Sequence, residues 1–194
     1  HQELNRVLSR KKRHIRFESG FHTDQWLDLE SLFVHPEKLD PFADKLSAEL
    51  STLSLDAVCG ALTGGAFLAE LLARRLGLEF YYSQRTHVAD TTGLYTAIYK
   101  LPKSQQQAVS GKRIVVIDDV VSAGSATRGT FSELMSCGAR PVAAAALLVQ
   151  GQSVPTFCAE QSLQLSAIDF EEINMWTPED CPFCKAGDKP KPNE

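Results

Sequence analysis

Val115-Val116-Ile117-Asp118-Asp119-Val120-Val121-Ser122-Ala123-Gly124-Ser125-Ala126-Thr127-Arg128 decides how this chain folds. With Arg113 and Ile114 it opens as a β-branched apolar run, the pattern of a strand buried on both faces. Two acids end the run. A turn of small residues follows, and Ser125 to Ser136 reads as a helix closed by Cys137-Gly138. In open α/β sheets, ligands bind at the carboxyl ends of the strands. There the backbone amides of Ser122 to Ala126 can converge on an anion. The positive end of the following helix adds to their pull. The hydroxyls of Ser122, Ser125 and Thr127 are further donors. Asp118 and Asp119 would repel an anion held against them. They suit sugar hydroxyls or a hydrated Mg²⁺ beside it. A phosphate at one end and a diol a few ångströms away describe a ribose 5-phosphate. The bland alternative is an acidic strand end capping a helix, which either acid alone would favour.

The surrounding pattern is strand, helix, strand, helix. Asp56 to Cys59 is a short strand ending at Gly60. Gly64 to Leu76 carries Phe67, Leu68, Leu71, Leu72 and Leu76 at helical spacing and stops at Gly77. Glu79 to Tyr82 and Pro141 to Val149 are further strands, so the expectation is a mostly parallel sheet with right-handed crossovers. Pro36 to Leu50 reads as a helix, with Leu39, Phe42, Leu46 and Leu50 on one face. A helix near Leu4, Val7 and Leu8 and short extended pieces precede it. Ser83 to Leu94 is polar and reads as a mobile loop. Leu163 to Ile173 reads as extended, and the segment from Thr177 as irregular. The basic cluster Arg10 to Arg16 reads as a solvated helix end, or as a basic rim near a phosphate-rich ligand.

Composition narrows the classes. A length of 194 residues fits one domain, with 43% apolar and 23% charged residues, the balance of a soluble globular protein. A net charge of −4 gives no global reason to expect nucleic acid. No apolar run approaches a membrane span, and the basic opening HQELNRVLSRKKRHIRF lacks the core of a signal peptide. Five cysteines without a secretory signal point to a reducing, cytoplasmic setting. Cys59 and Cys137 read as small buried hydrophobes. Cys181-Pro182-Phe183-Cys184 is a CxxC. As half of a zinc site it needs two more ligands, from Cys158 or a His. Read otherwise, it is a redox pair or a surface turn with reduced thiols.

The Val115 to Arg128 string resembles the PRPP-binding signature of type I phosphoribosyltransferases. The wider likeness, over roughly residues 15–150, is to orotate phosphoribosyltransferases. It implies the type I fold: a mostly parallel sheet flanked by helices. A small hood would be built from the N-terminal segment and possibly the C-terminal tail. It implies one domain over 1–194, with the N-terminal helix and hood in 1–35, the core in 36–150 and an extension carrying the CxxC in 151–194. By the same resemblance, Asp118 and Asp119 bind the ribose hydroxyls, and Ser122, Ala123, Gly124, Ser125 and Ala126 hold the 5-phosphate. Gly60 to Gly65 resembles the family's pyrophosphate turn, often cis at a non-proline bond, with Leu62, Thr63 and Gly64 in contact. Arg85 matches the Arg that begins a closing lid, with His87 nearby. Phe17, Ser19 and Gly20 fall where the family touches the base.

The implied reaction is transfer of ribose 5-phosphate from PRPP with Mg²⁺ to a nucleobase, orotate first, by a homodimer. Three departures bear on it. The lid segment Ser83 to Asp90 has no lysine; Glu18 stands where the family has Lys before Ser-Gly; and Gln150 and Gln152 stand where an Arg often holds the pyrimidine. A transferase for another base, and a PRPP sensor without catalysis, remain as alternatives.

Overall fold

The computed structural model describes residue 4 and residues 8–28, 30–86 and 93–191. Val115 to Ile117 lie inside β6 (Arg113–Val121), at the centre of a six-stranded sheet of order β5-β4-β3-β6-β7-β8. The other strands are β3 (Ala57–Ala61), β4 (Glu79–Thr86), β5 (Ile98–Lys100), β7 (Arg140–Gln150) and β8 (Gln164–Glu171). All neighbours pair in parallel except β5, which runs antiparallel to β4. Helices Gly64–Leu76, Ser125–Ser136 and Ser153–Glu160 make the crossovers.

Both faces of β6 are covered. Val115 and Ile117 join one cluster with Leu46, Leu68, Leu72 and Leu147; Ile114 and Val116 join another with Cys59, Tyr81 and Leu134. Every second residue therefore faces an opposite helix layer, which is why the strand is continuously apolar. The chain runs from β3 outward to β4 in one direction and from β6 to β7 and β8 in the other. Strand order thus reverses between β3 and β6, and a crevice opens at their carboxyl ends.

A second sheet of order β1-β2-β9 forms the hood. It joins β1 (Ser9–Arg16) and β2 (His22–Asp28) to β9 (Met175–Trp176), all antiparallel. Hood strands thus come from both ends of the chain, as the resemblance implied.

The structure corrects several local readings. Arg10 to Arg16 is strand, not a helix end, because β2 supplies a pairing partner that propensity ignores. The expected Pro36 to Leu50 helix splits into a 3₁₀ turn, Pro36–Lys38, and a helix, Asp40–Leu50. Pro41 has no N–H to continue the first turn, so it starts a new helix. Ser83 to Thr86 belong to β4 rather than a loop, held by β5. The core does not end at residue 150. Helix Ser153–Glu160 and β8 extend it, and Pro155 in the first helical turn masks that helix in the sequence. The irregular tail contains a one-turn helix, Pro182–Lys185. His87 and the rest of residues 87–92, half of the expected lid, lie outside the described residues. Among the described residues, no helix is long and apolar enough to cross a membrane.

Candidate active site

Where β6 ends, a cleft of about 400 Å³ opens between the sheet and the hood, a size suited to a small ligand. Asp118, Asp119 and Ser122 to Ala126 line one side. Phe17, Glu18 and Ser19 line the other, with Lys11 and Arg13 from β1.

The small-residue turn is held open by its neighbours. Gly124 has φ +85° and precedes helix Ser125–Ser136, a backbone conformation that glycine adopts without steric cost. Ser122 Oγ donates to Gln150 Oε1 at 2.6 Å, and Ser153 Oγ donates to the Ala123 carbonyl at 2.9 Å. Both bonds orient the turn from outside. Ser125 Oγ is buried and has no hydrogen-bond partner among the described residues. A buried hydroxyl left open costs free energy, so this one is free to donate to water or a bound group. Thr127 is buried and donates weakly to Asp118 Oδ2 at 3.5 Å, away from the turn. That corrects its expected place among the donors of the cradle.

The two acids are fixed by the backbone. Asp118 Oδ1 accepts from the Asp119 amide at 3.0 Å, and Asp119 Oδ1 accepts from the Val120 amide at 2.8 Å. Burial, and next the adjacent Asp119 carboxylate, push the Asp118 carboxyl well above the usual carboxylate range.

Beside them sits the Gly60 to Gly65 turn. Its Leu62–Thr63 peptide is cis, and helix Gly64–Leu76 starts directly after it. A Cβ at Gly64 would lie 2.0 Å from Asp119 Oδ2. The second turn and the second acid are therefore in direct apposition, and only glycine allows it. Gly64 borders the acids, and neither it nor Leu62 and Thr63 just before it is among the residues that line the cleft.

Arg85, on β4, pairs through Nε with Glu18 Oε1 at 2.5 Å. Glu18 Oε2 also accepts from Tyr99 OH at 2.6 Å. The charge of Glu18, which stands where the family has Lys, is thus countered by Arg85. Phe17 and Ser19 reach the cleft wall, while Gly20 turns the chain behind it at φ +89°. Gln150 also lines the cleft, and its Nε2 donates to Glu171 Oε1 at 2.6 Å. The sequence reading missed Ser153, and held Lys11 and Arg13 only within the basic rim that was one of its two readings of Arg10 to Arg16. The alternation of Lys11 and Arg13 was the available signal, once residues 9–16 are taken as strand. Arg13 Nε is buried without a hydrogen-bond partner among the described residues.

Cys181 and Cys184 sit in the hood, outside the cleft. Cys181 is fully buried and Cys184 half-buried, while Pro182 and Lys185 are exposed, so the turn lies at the surface with Cys181 beneath it. Cys158 packs in an apolar cluster elsewhere. The side chains beside the pair are His14 and His22.

A switch-point crevice with a small-residue turn, an open hydroxyl and two fixed acids has the geometry that a sugar-phosphate ligand on an α/β sheet requires. The phosphoribosyl transferase domain signature matches residues 31–156, and the chain belongs to that family. Within it, the chain is 26% identical over 188 residues to the orotate phosphoribosyltransferase of Wolinella succinogenes, covering 91% of this chain and 87% of that protein. To the orotate phosphoribosyltransferase of Heliobacterium modesticaldum it is 28% identical over 180 residues, covering 90% and 85%. Among solved structures, the adenine phosphoribosyltransferase of Thermoanaerobacter pseudethanolicus superposes with a TM-score of 0.67 at 14% identity, over 87% of this chain and 98% of that one. The orotate phosphoribosyltransferase of Aeropyrum pernix gives 0.63 at 22% identity, over 87% and 90%. These two likenesses carry the fold, the type I phosphoribosyltransferase arrangement of a mostly parallel sheet between helices.

Proposed function

We propose that the chain transfers ribose 5-phosphate from PRPP to an anionic pyrimidine, orotate first, and releases pyrophosphate. The observation that carries this reading is the open Ser125 hydroxyl in a turn of small residues beside Asp118 and Asp119. The Ser122 to Ala126 turn holds the 5-phosphate through amides and the Ser125 hydroxyl. Asp118 and Asp119 accept from the ribose hydroxyls and fix C1 for attack by a ring nitrogen. Leu62, Thr63 and Gly64 offer backbone to the pyrophosphate. Arg85, paired with Glu18 through Nε, is assigned to the departing pyrophosphate by the resemblance, as is His87. Magnesium bound to the pyrophosphate oxygens would supply charge neutralisation for the leaving group. The protein's own contribution is positioning and electrostatic stabilisation. A homodimer and a cytoplasmic setting belong to this reading, as does a single domain over 1–194.

An anionic base is favoured by Lys11 and Arg13 on the hood side of the cleft. Arg13 lines the cleft and its Nε has no hydrogen-bond partner among the described residues, one that orotate's carboxylate would supply. The curated orotate enzymes similar to this chain support the same base. Pyrophosphate release from PRPP and Mg²⁺, followed over a panel of bases, tests the reading. Release with orotate is expected. Tight PRPP binding with no release under any base would overturn it, and release only with another base would overturn the choice of orotate.

Arg13→Gln refines the test. A charge-assisted hydrogen bond is worth about 1.5–3 kcal/mol, or roughly 10- to 150-fold. The KM for orotate should rise by that order, with the KM for PRPP changed by less than about threefold. Equal rises in both would remove Arg13 from the base side.

A further inference from the structure

We propose that His14, His22, Cys181 and Cys184 form a closed tetrahedral metal site, selective for zinc, that pins the hood.

Four soft or borderline donors converge here from three elements. His14 lies on β1 where its register with β2 shifts, and His22 opens β2. Cys181 precedes the one-turn helix Pro182–Lys185, and Cys184 lies within it. The turn of helix brings both sulfurs to one side. The four ligand atoms all lie within 4.8 Å of one another.

Four of the six spacings fit the edges of a tetrahedron. With Zn–S of about 2.3 Å and Zn–N of about 2.05 Å, its edges are about 3.35 Å between nitrogens and about 3.55 Å between nitrogen and sulfur. His14 Nε2 lies 3.2 Å from His22 Nδ1. Cys181 Sγ lies 3.3 Å from His14 Nε2, and Cys184 Sγ lies 3.3 Å from His22 Nδ1 and 3.9 Å from His14 Nε2. Each is within a few tenths of an ångström of the ideal edge.

The surroundings favour a metal over a hydrogen-bonded cluster. His14, His22 and Cys181 are buried, so their polar atoms have little water to satisfy them. The other buried cysteines, Cys59 and Cys158, sit among apolar side chains rather than imidazoles. Beyond the ligands, Asp188 Oδ2 lies 3.3 Å from His14 Nδ1. The contact is at ion-pair distance without hydrogen-bond alignment, on the side where an outer carboxylate commonly orients a metal-bound imidazole. Phe183 stacks on the His14 ring with centroids 5.1 Å apart, and Trp176 packs on Phe183 at 5.8 Å. Two thiolates balance the charge of one divalent ion, and two thiol protons leave on binding.

Four protein ligands leave no open position, so the ion takes no part in chemistry. Its place in the fold gives it another task. His14 and His22 flank the Phe17 to Phe21 turn, which carries Phe17, Glu18 and Ser19 to the cleft wall. The ion would tie both feet of that turn to the C-terminal segment. That segment already runs beside β1, with the Lys191 amide donating to the His14 carbonyl at 3.0 Å.

The test uses the full chain and does not depend on any reaction. Protein isolated without chelator should carry one zinc per chain by elemental analysis. A Cys181→Ser, Cys184→Ser double variant should carry almost none. After metal exchange, Co²⁺ should give the visible bands of tetrahedral cobalt and a thiolate-to-cobalt charge-transfer band. A strong chelator should lower the Tm of the wild type by several degrees, and Zn²⁺ should restore it. The cobalt spectrum is read on wild-type protein, so a double variant that fails to fold leaves the proposal testable. Folded wild type that retains no zinc and develops no cobalt bands overturns it. So does a Cys181–Cys184 disulfide in protein whose thiols were blocked at lysis.

Discussion

Asp118→Asn should raise the thermal stability of the unliganded protein and weaken its hold on PRPP together. The carboxyl sits half-buried beside Asp119, and burial and that neighbour push it well above the usual carboxylate range. Between its unfolded and folded values, the folded chain keeps a proton that the unfolded chain has lost. Stability therefore falls as pH rises through that window, and above it the full cost of the buried charge remains. Asn carries no such charge. Its Oδ1 can still accept from the Asp119 amide, which Asp118 now engages at 3.0 Å. A gain of about 1 kcal/mol would lift Tm by about 2–4 °C in a domain of this size. That gain should be present near neutral pH and vanish below the ordinary carboxylate value of about 3.9.

Binding should move the other way. Accepting from a ribose hydroxyl with a charged oxygen is worth more than with an amide oxygen, and affinity for PRPP should fall by roughly 10- to 100-fold. Melting curves over the pH range and calorimetric titration of PRPP with Mg²⁺ read both effects. A Tm gain that is the same at low and neutral pH would remove the titration argument. Unchanged PRPP affinity would remove Asp118 from the site. Strain of this kind, stored where a ligand binds, is common in functional sites.

What the sequence disclosed follows the range of the interactions. Val115 to Arg128 was legible because strand, acids, turn and helix start are written in consecutive residues. Helix Gly64–Leu76 was legible because Gly77 stops it in a left-handed conformation, a local event. The cis Leu62–Thr63 bond came from resemblance alone. The hood lay beyond such reading. Its three strands are drawn from residues 9–28 and 175–176, and no local pattern at Ser9 to Arg16 reveals a partner. The same distance hid Arg13's place in the cleft wall and brought Cys181 to His14 across 167 residues. Glu18 is instructive in a different way. Its charge was visible, but its meaning depends on Arg85 and Tyr99, which only the β4–β5 hairpin brings to it.

Gly124→Ala should be the most disruptive small substitution in the cleft. Two costs combine. At φ +85° an alanine enters the left-handed region, at about 1–2 kcal/mol. Its Cβ would also stand 2.3 Å from Val154 Cγ2, and relieving that overlap adds about 1–3 kcal/mol. Together they predict a Tm lower by roughly 5–15 °C.

Adding Val154→Ala separates the two. The shortened side chain removes the overlap but not the backbone cost, so the double variant should recover part of the loss. A coupling of about 0.5–3 kcal/mol is expected between the two positions. Binding gives the sharper reading. Helix Ser153–Glu160 braces the turn through Val154 and through the Ser153 bond to the Ala123 carbonyl. If the turn's amides hold the 5-phosphate, relieving the overlap alone leaves them misdirected. PRPP affinity in the double variant should therefore stay well below wild type while much of the Tm returns. Full recovery of both would mean that Gly124 serves packing only, and the phosphate would have to be sought elsewhere in the cleft.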